Sequence, residues 1–208
     1  LALTIACSLP VALAANPGPA APVVQTTDDP RQVIEARYAQ IQTLGQSTTD
    51  EAQLREQVKA LTLEFVDFDA FSAETIKAAW EGLTVAERTE FVLNFKRLIQ
   101  ATYARHFKPR QDLKITYRQP TEFAEGRAQV ATTIAFEKSA VDVDYRFLRR
   151  MDNSWWVYDL VIDEVSLARN YRAQFRRILK DDGFPALIAK IKSAVERKEK
   201  GADASDEL

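Results

Sequence analysis

Reactive side chains are scarce in this sequence. Its 208 residues include one Cys (Cys7), one His (His106), one Met (Met151) and six Gly. One His and one Cys cannot build a His/Cys zinc cage or a disulfide within the chain, and a Cys–His dyad would need those two residues to meet. The glycines stand at 18, 45, 82, 126, 183 and 201. No two are close enough to form a phosphate-cradling loop or a dinucleotide fingerprint. Charge of one sign is also missing: 28 Lys and Arg face 30 Asp and Glu, a net charge of −2. That balance argues against wholesale nucleic-acid binding.

Charge is absent altogether from residues 1–27. Within 1–14, apolar residues dominate and end in Ala12-Leu13-Ala14, which reads as the core and cleavage site of a secretory signal peptide whose basic start is clipped. The stretch is too short and interrupted to span a membrane as a helix. A lipoprotein reading would instead use Cys7. Residues 15–28, rich in Pro and Ala, read as a flexible linker. Export without a disulfide suits the periplasm of a Gram-negative bacterium. The single domain is expected over 29–199. Residues 200–208 read as a disordered acidic tail, although Ser205-Asp206-Glu207-Leu208 has some likeness to a retention signal.

What is present is period. Asp29 and Pro30 open a helical pattern that carries Val33, Ile34, Tyr38 and Ile41 and stops at Gly45. A second helix is expected from Thr49, with Leu54, Val58, Leu61 and Phe65 on one stripe. A short one is expected over 70–81, with Trp80 near its end. Thr84-Val85-Ala86-Glu87 is a capping box. It launches a long helix with Phe91, Phe95 and Leu98 on one face, running to about His106. A structural role near the helix end explains His106 better than a catalytic one.

The period then changes to two. Segments 113–123, 127–136, 141–150 and 155–163 alternate as four antiparallel strands of a meander. Turns at Glu125-Gly126, Lys138-Ser139 and Asp152-Asn153 would pair Tyr117 with Ile134, Ile134 with Val143, and Phe147 with Tyr158. One continuous apolar face results, built from Tyr117, Val130, Ile134, Phe136, Val143, Tyr145, Phe147, Trp156, Tyr158 and Ile162. Asp142, Asp144 and Asp159 fall on the other face, with Arg146 opposite Asp159 as a cross-strand ion pair. Ser166 caps a helix to Lys180, with Tyr171 on its apolar side and Arg169, Arg172 and Arg176 on the other. Gly183 breaks the chain, and Pro185 starts a last helix. The fold class is α+β, with helices packed on one face of the sheet.

The stretch Trp156-Val157-Tyr158-Asp159 through Val165-Ser166-Leu167 to Asn170-Tyr171-Arg172 resembles the signature of the MlaC family, the periplasmic phospholipid shuttles of a lipid-asymmetry ABC transport system, also called toluene-tolerance proteins. Trp80, Phe91, Phe95, Tyr103 and Gly183-Phe184 extend the likeness over roughly residues 30–195. Two positions depart from the family: Glu164 replaces a usual Gly, and Lys77-Ala78-Ala79 precedes the central Trp80. The resemblance implies a non-enzymatic lipid carrier without cofactor or metal, whose helices and sheet enclose an apolar cavity for acyl chains. It also implies two docking partners: a hexameric lipid-binding subunit of the inner-membrane ABC transporter and an outer-membrane lipoprotein–porin complex.

The physics is compatible with that reading. A diacyl lipid carries about 30 methylenes worth ~0.8 kcal/mol each, so its tails resist water by roughly 25 kcal/mol and must be enclosed. The apolar sheet face, with Trp80, Phe91, Phe95, Leu98 and Tyr171 from the helices, could line such a space. Periodicity alone equally describes a dry core. Arg169, Arg172 and Arg176 could meet a head-group phosphate, a partner surface or only water. Other readings of the same residues are a carrier of another lipid, such as a hopanoid, or an isomerase-like enzyme using Asp142, Asp144 and Asp159 as acids and bases. The enzyme reading requires at least one acid to line the apolar pocket.

Overall fold

The computed structural model describes residues 29–135 and 139–200. The signal-peptide, linker and most of the tail expectations, and Phe136, lie outside these residues. Five helical segments come first: α1 (Pro30–Ser47), α2 (Glu51–Thr62), α3 (Phe68–Thr75), α4 (Lys77–Trp80) and α5 (Val85–Tyr103). Strands β1 (Lys114–Tyr117), β2 (Thr121–Ala124), β3 (Arg127–Ala135), β4 (Ala140–Arg149), β5 (Trp155–Ile162) and β6 (Val165–Ser166) follow, then α6 (Leu167–Asp181) and α7 (Gly183–Glu199). Among the described residues, no helix is long and apolar enough to cross a membrane.

The helix starts follow from side-chain chemistry. Asp29 accepts from the Arg31 amide with Pro30 at the first position, Asp50 accepts from Ala52 and Gln53, and Thr84 with Glu87 forms the full capping box. Several boundaries differ from expectation: α2 ends at Thr62, short of Phe65, and α7 starts at Gly183 rather than Pro185. Gly45 does not stop α1, because it continues to Ser47 and the Thr48 amide closes its end on Leu44 O. The helix expected over 70–81 is two helices, broken at Ile76, whose φ of −125° is not helical.

The meander has six strands where four were expected, in the order β1-β3-β4-β5-β6, with β2 also on β3. Pro120 divides the first expected strand into β1 and β2, since it has no amide to give a ladder. The register differs from the simplest pairing by two residues. Ile115 faces Ile134 and Tyr117 faces Thr132, while Ile134 faces Val141 and Val130 faces Tyr145. A shift of two leaves every side chain on its expected face.

A shift of one does not. The β4–β5 connection is a three-residue loop, Met151-Asp152-Asn153, closed by the Arg150 amide on Ser154 O with Asn153 at φ 64°. The added residue turns Trp155 and Val157 into the core, with exposures of 4% and 0%. A bulge at Tyr158 then restores the alternation, so Arg146 faces Asp159, as expected, and Tyr145 faces Leu160. Trp156 and Tyr158 are thereby removed from the apolar face. Trp156 stacks beneath Arg150 at 3.8 Å, and Tyr158 beneath Arg127 at 4.4 Å.

Two apolar cores result. The helical core joins α3, α5, α6 and α7 around Phe71, Phe91, Phe95, Leu98, Phe175, Leu187 and Ile191. The sheet core joins α1 and α2 to the inner face of the sheet through Ile34, Tyr38, Leu54, Val58, Val130, Tyr145, Phe147 and Val157.

Candidate functional site

The residues expected to hold an acyl chain divide into three groups. Phe91, Phe95, Leu98, Val130 and Phe147 are 0% exposed, and Ile134, Val143, Tyr145 and Tyr171 stay at or below 8%. Four of the aromatic members, Phe91, Phe95, Tyr145 and Tyr171, make ring contacts. Phe91 stacks on Phe95 at 5.8 Å, and Tyr171 meets Phe95 edge-on at 5.3 Å. These side chains are structural core. Trp156 and Tyr158 form the second group, on the Arg-capped side. Trp80, Tyr117 and Ile162 form the third, packed on a core yet partly exposed.

The third group leads to the site. Val66, Leu160 and Ile162 are partly exposed and touch both cores, so they mark the seam between the helical and sheet halves. The end of α5 meets the same boundary, with Tyr103 packed on the helical core and Ala104 inside the sheet core. Val66 is placed by a parallel bridge to Val157, in which the Asp67 amide donates to Val157 O at 2.8 Å and the Val157 amide to Phe65 O at 2.8 Å. Asp67 caps α3 through Ala70 N at 2.9 Å and takes two hydrogen bonds from Arg150, at 3.0 and 2.7 Å. The α2–α3 linker is thus locked along one edge of β5, beside the seam. Sequence reasoning did not identify Val66, Leu160 or Tyr103 as site residues. Leu160 lies on the expected apolar face, two positions from Ile162, and that alternation is the signal that could have found it.

Both halves carry tyrosine hydroxyls among apolar groups. Tyr38 and Tyr145 share a hydrogen bond of 2.5 Å, and Thr132 beside them donates to Val143 O at 2.8 Å. Burial drives the Tyr38 and Tyr145 hydroxyls well above the ordinary phenol range. Burial also raises Tyr103, with Tyr171 adding to the effect, and pushes Tyr171 up to about 12. All four therefore stay neutral hydrogen-bonding groups at any physiological pH.

The three acids do not gather on the apolar face. Asp142 accepts from Thr133 at 2.7 Å, and Asp144 from Gln129 at 2.7 Å. Asp159 is 2% exposed and fully engaged: it accepts from Ser166 Oγ at 2.7 Å, the Ala168 amide at 2.9 Å and Arg146 at 3.3 Å. Its work is to anchor the start of α6. His106 is exposed in the turn after α5, its ring 6.3 Å from Tyr103. Among the described residues no His, Cys, Asp and Glu group could hold a metal ion. A surface pocket of about 300 Å³, of mixed polar and apolar lining, opens between α2, α5 and α7, and none of the expected site residues lines it.

The basic side of α6 is also divided. Arg172 turns inward, donating to Glu74 O at 2.7 Å and its carboxylate at 2.8 Å. Arg169 and Arg176 point out to solvent. Glu164 takes a φ of 68° in the two-residue turn between β5 and β6, after Asp163 at 44°. The turn keeps a backbone that suits glycine, although a side chain occupies it.

Helices packed on an antiparallel sheet, with two apolar cores meeting at a partly exposed seam, define the fold class. The family model described as MlaC protein matches residues 31–193, and this chain belongs to the MlaC family. A solved structure of the phospholipid-binding protein from Ralstonia solanacearum, in complex with a phospholipid, has the same fold, with a TM-score of 0.74. It is 18% identical, and the match covers 82% of this chain and 99% of that one. No curated protein matches the sequence.

Proposed function

We propose that this chain is a periplasmic carrier that binds a phospholipid without transforming it, its acyl chains entering at the seam marked by Val66, Leu160 and Ile162 and parting the two cores. The observation that carries this reading is the seam itself, where partly exposed apolar side chains of two separate cores meet inside a fold of the MlaC family. The phospholipid bound by the Ralstonia protein of the same fold supports the choice of ligand. Two cores that each close on their own can separate along their boundary without exposing their centres, which suits a ligand that enters and leaves whole. The reading extends to shuttling between an inner-membrane transporter subunit and an outer-membrane complex, the partners implied by the family.

Native mass spectrometry of protein purified from the bacterial periplasm tests this. A carrier shows adducts with the mass of a phospholipid, released by organic extraction. Protein that emerges solely at its polypeptide mass, and takes up no phospholipid from mixed micelles, overturns the proposal.

A further inference from the structure

Charge is unevenly spread along this near-neutral chain. Residues 167–200, which span α6, α7 and the residues that join and follow them, hold ten Lys and Arg against four Asp and Glu, a balance of +6. The two helices use their cations differently. On α7, Lys190 pairs with Asp182 at 2.9 Å and Lys192 with Glu90 at 2.8 Å. On α6, Arg172 pairs with Glu74, while Arg169, Arg176, Arg177 and Lys180 are exposed and have no acid within ion-pair distance among the described residues.

These four share one face. With ~100° per residue, Arg169, Arg176, Lys180 and Arg177 fall within an arc of roughly 100° opposite Leu167, Tyr171, Phe175 and Ile178, which are buried. Their backbone span is about 16 Å at ~1.5 Å per residue. Ala173 lies within the arc, and Asp181 falls outside it. None of the exposed large apolar side chains, namely Leu63, Val85, Leu93, Phe123, Met151 and Val165, belongs to this helix.

We infer that this outer face of α6 docks on an anionic phospholipid surface. Protein interfaces centre on buried aromatic and aliphatic anchors. A face with four unpaired cations and no anchor instead matches a fluid layer of phosphates, which asks for charge but no fixed shape. Three of the four are Arg, whose guanidinium grips phosphate bidentately. The inference goes beyond the carrier reading and can fail separately, because binding to vesicles does not require lipid in the seam.

The test is flotation of the full chain with vesicles of phosphatidylglycerol and phosphatidylethanolamine, or of phosphatidylcholine alone, at low and high salt. Wild-type protein should float with the anionic vesicles, lose binding as salt rises, and ignore phosphatidylcholine. Each cation at an anionic surface is worth about fivefold in partitioning, so the R169Q/R176Q/R177Q/K180Q variant should bind at least about tenfold more weakly. A control with the same net charge, K108Q/R110Q/K114Q/R118Q, should retain most of the binding, and circular dichroism should show both folded. The inference is overturned if wild type stays unbound, which would leave an acidic protein as the occupant of this face, or if the two variants lose binding equally.

Discussion

Replacing Asp159 with Ala tests how this fold is joined. The carboxylate sits 2% exposed at the start of α6 and accepts three hydrogen bonds, from the Ala168 amide, the Ser166 hydroxyl and Arg146. Losing the amide bond removes one helix cap and costs about 1 kcal/mol. The Ser166 hydroxyl, also 2% exposed as a residue, loses its acceptor inside the protein, which costs about 1 kcal/mol or more. Arg146 retains 30% side-chain exposure and its bond is 3.3 Å long, so water replaces most of that interaction and its loss costs about 0.5–1 kcal/mol. The total is about 3 kcal/mol, a large share of the ~5–15 kcal/mol that holds a typical domain folded. Urea unfolding followed by fluorescence of Trp80, Trp155 and Trp156 gives the number. Asp159→Asn keeps one acceptor oxygen and should lose about half as much. A double-mutant cycle with Arg146→Ala should return a coupling of no more than about 1 kcal/mol. A loss below about 1 kcal/mol for Asp159→Ala would refute the assignment of Asp159 as the anchor of α6.

Three further outcomes follow from the same structure. Glu164→Gly relieves a positive φ and should stabilise the protein by about 0.5–1 kcal/mol, seen as a rise in Tm. Tyr145→Phe leaves the buried Tyr38 hydroxyl without its partner and should cost about 1–2 kcal/mol in urea unfolding. All six tyrosines have pKa values raised by burial. An acid whose folded pKa lies above its unfolded value ionises first in the unfolded chain, so stability should be intact below pH ~10 and fall as pH rises beyond it. Absorbance at 295 nm should then show little phenolate until the protein unfolds, and an ordinary titration near pH 10 in folded protein would contradict this.

Much of the architecture was legible because local signals agree with it. Pro30, the Thr84–Glu87 capping box and Ser166 mark helix starts by chemistry that works within one turn. The two-residue alternation of 127–135 fixes which face of β3 is apolar, whatever the register. The Arg146–Asp159 pairing was readable from charge placed opposite charge. The failures came where one residue more or less changes a face. Met151-Asp152-Asn153 could be counted as a two-residue or a three-residue loop, and only packing decided it in favour of Trp155 and Val157 against Trp156 and Tyr158. The site was harder still. Phe91, Phe95 and Phe147 have the composition of a lipid pocket, and all three are fully buried, the first two packed ring on ring. Val66, Leu160 and Ile162 are ordinary aliphatics, whose special position arises from where two cores adjoin. No local pattern records that boundary.

Charge placed at the seam and charge placed in the sheet core should act differently. A charge at Leu160 or Ile162 should remove lipid at a modest cost in stability, since both side chains are partly exposed, whereas a charge at Ile134 or Val143 should unfold the sheet core. The most direct measurement is photo-crosslinking with a phospholipid that carries a diazirine in its acyl chain, followed by peptide mapping. The account predicts that the label concentrates on peptides holding residues 63–67, 100–107 and 159–163. Label spread over the outer sheet face around Trp156 and Tyr158, or none above a headgroup-only control, would contradict it.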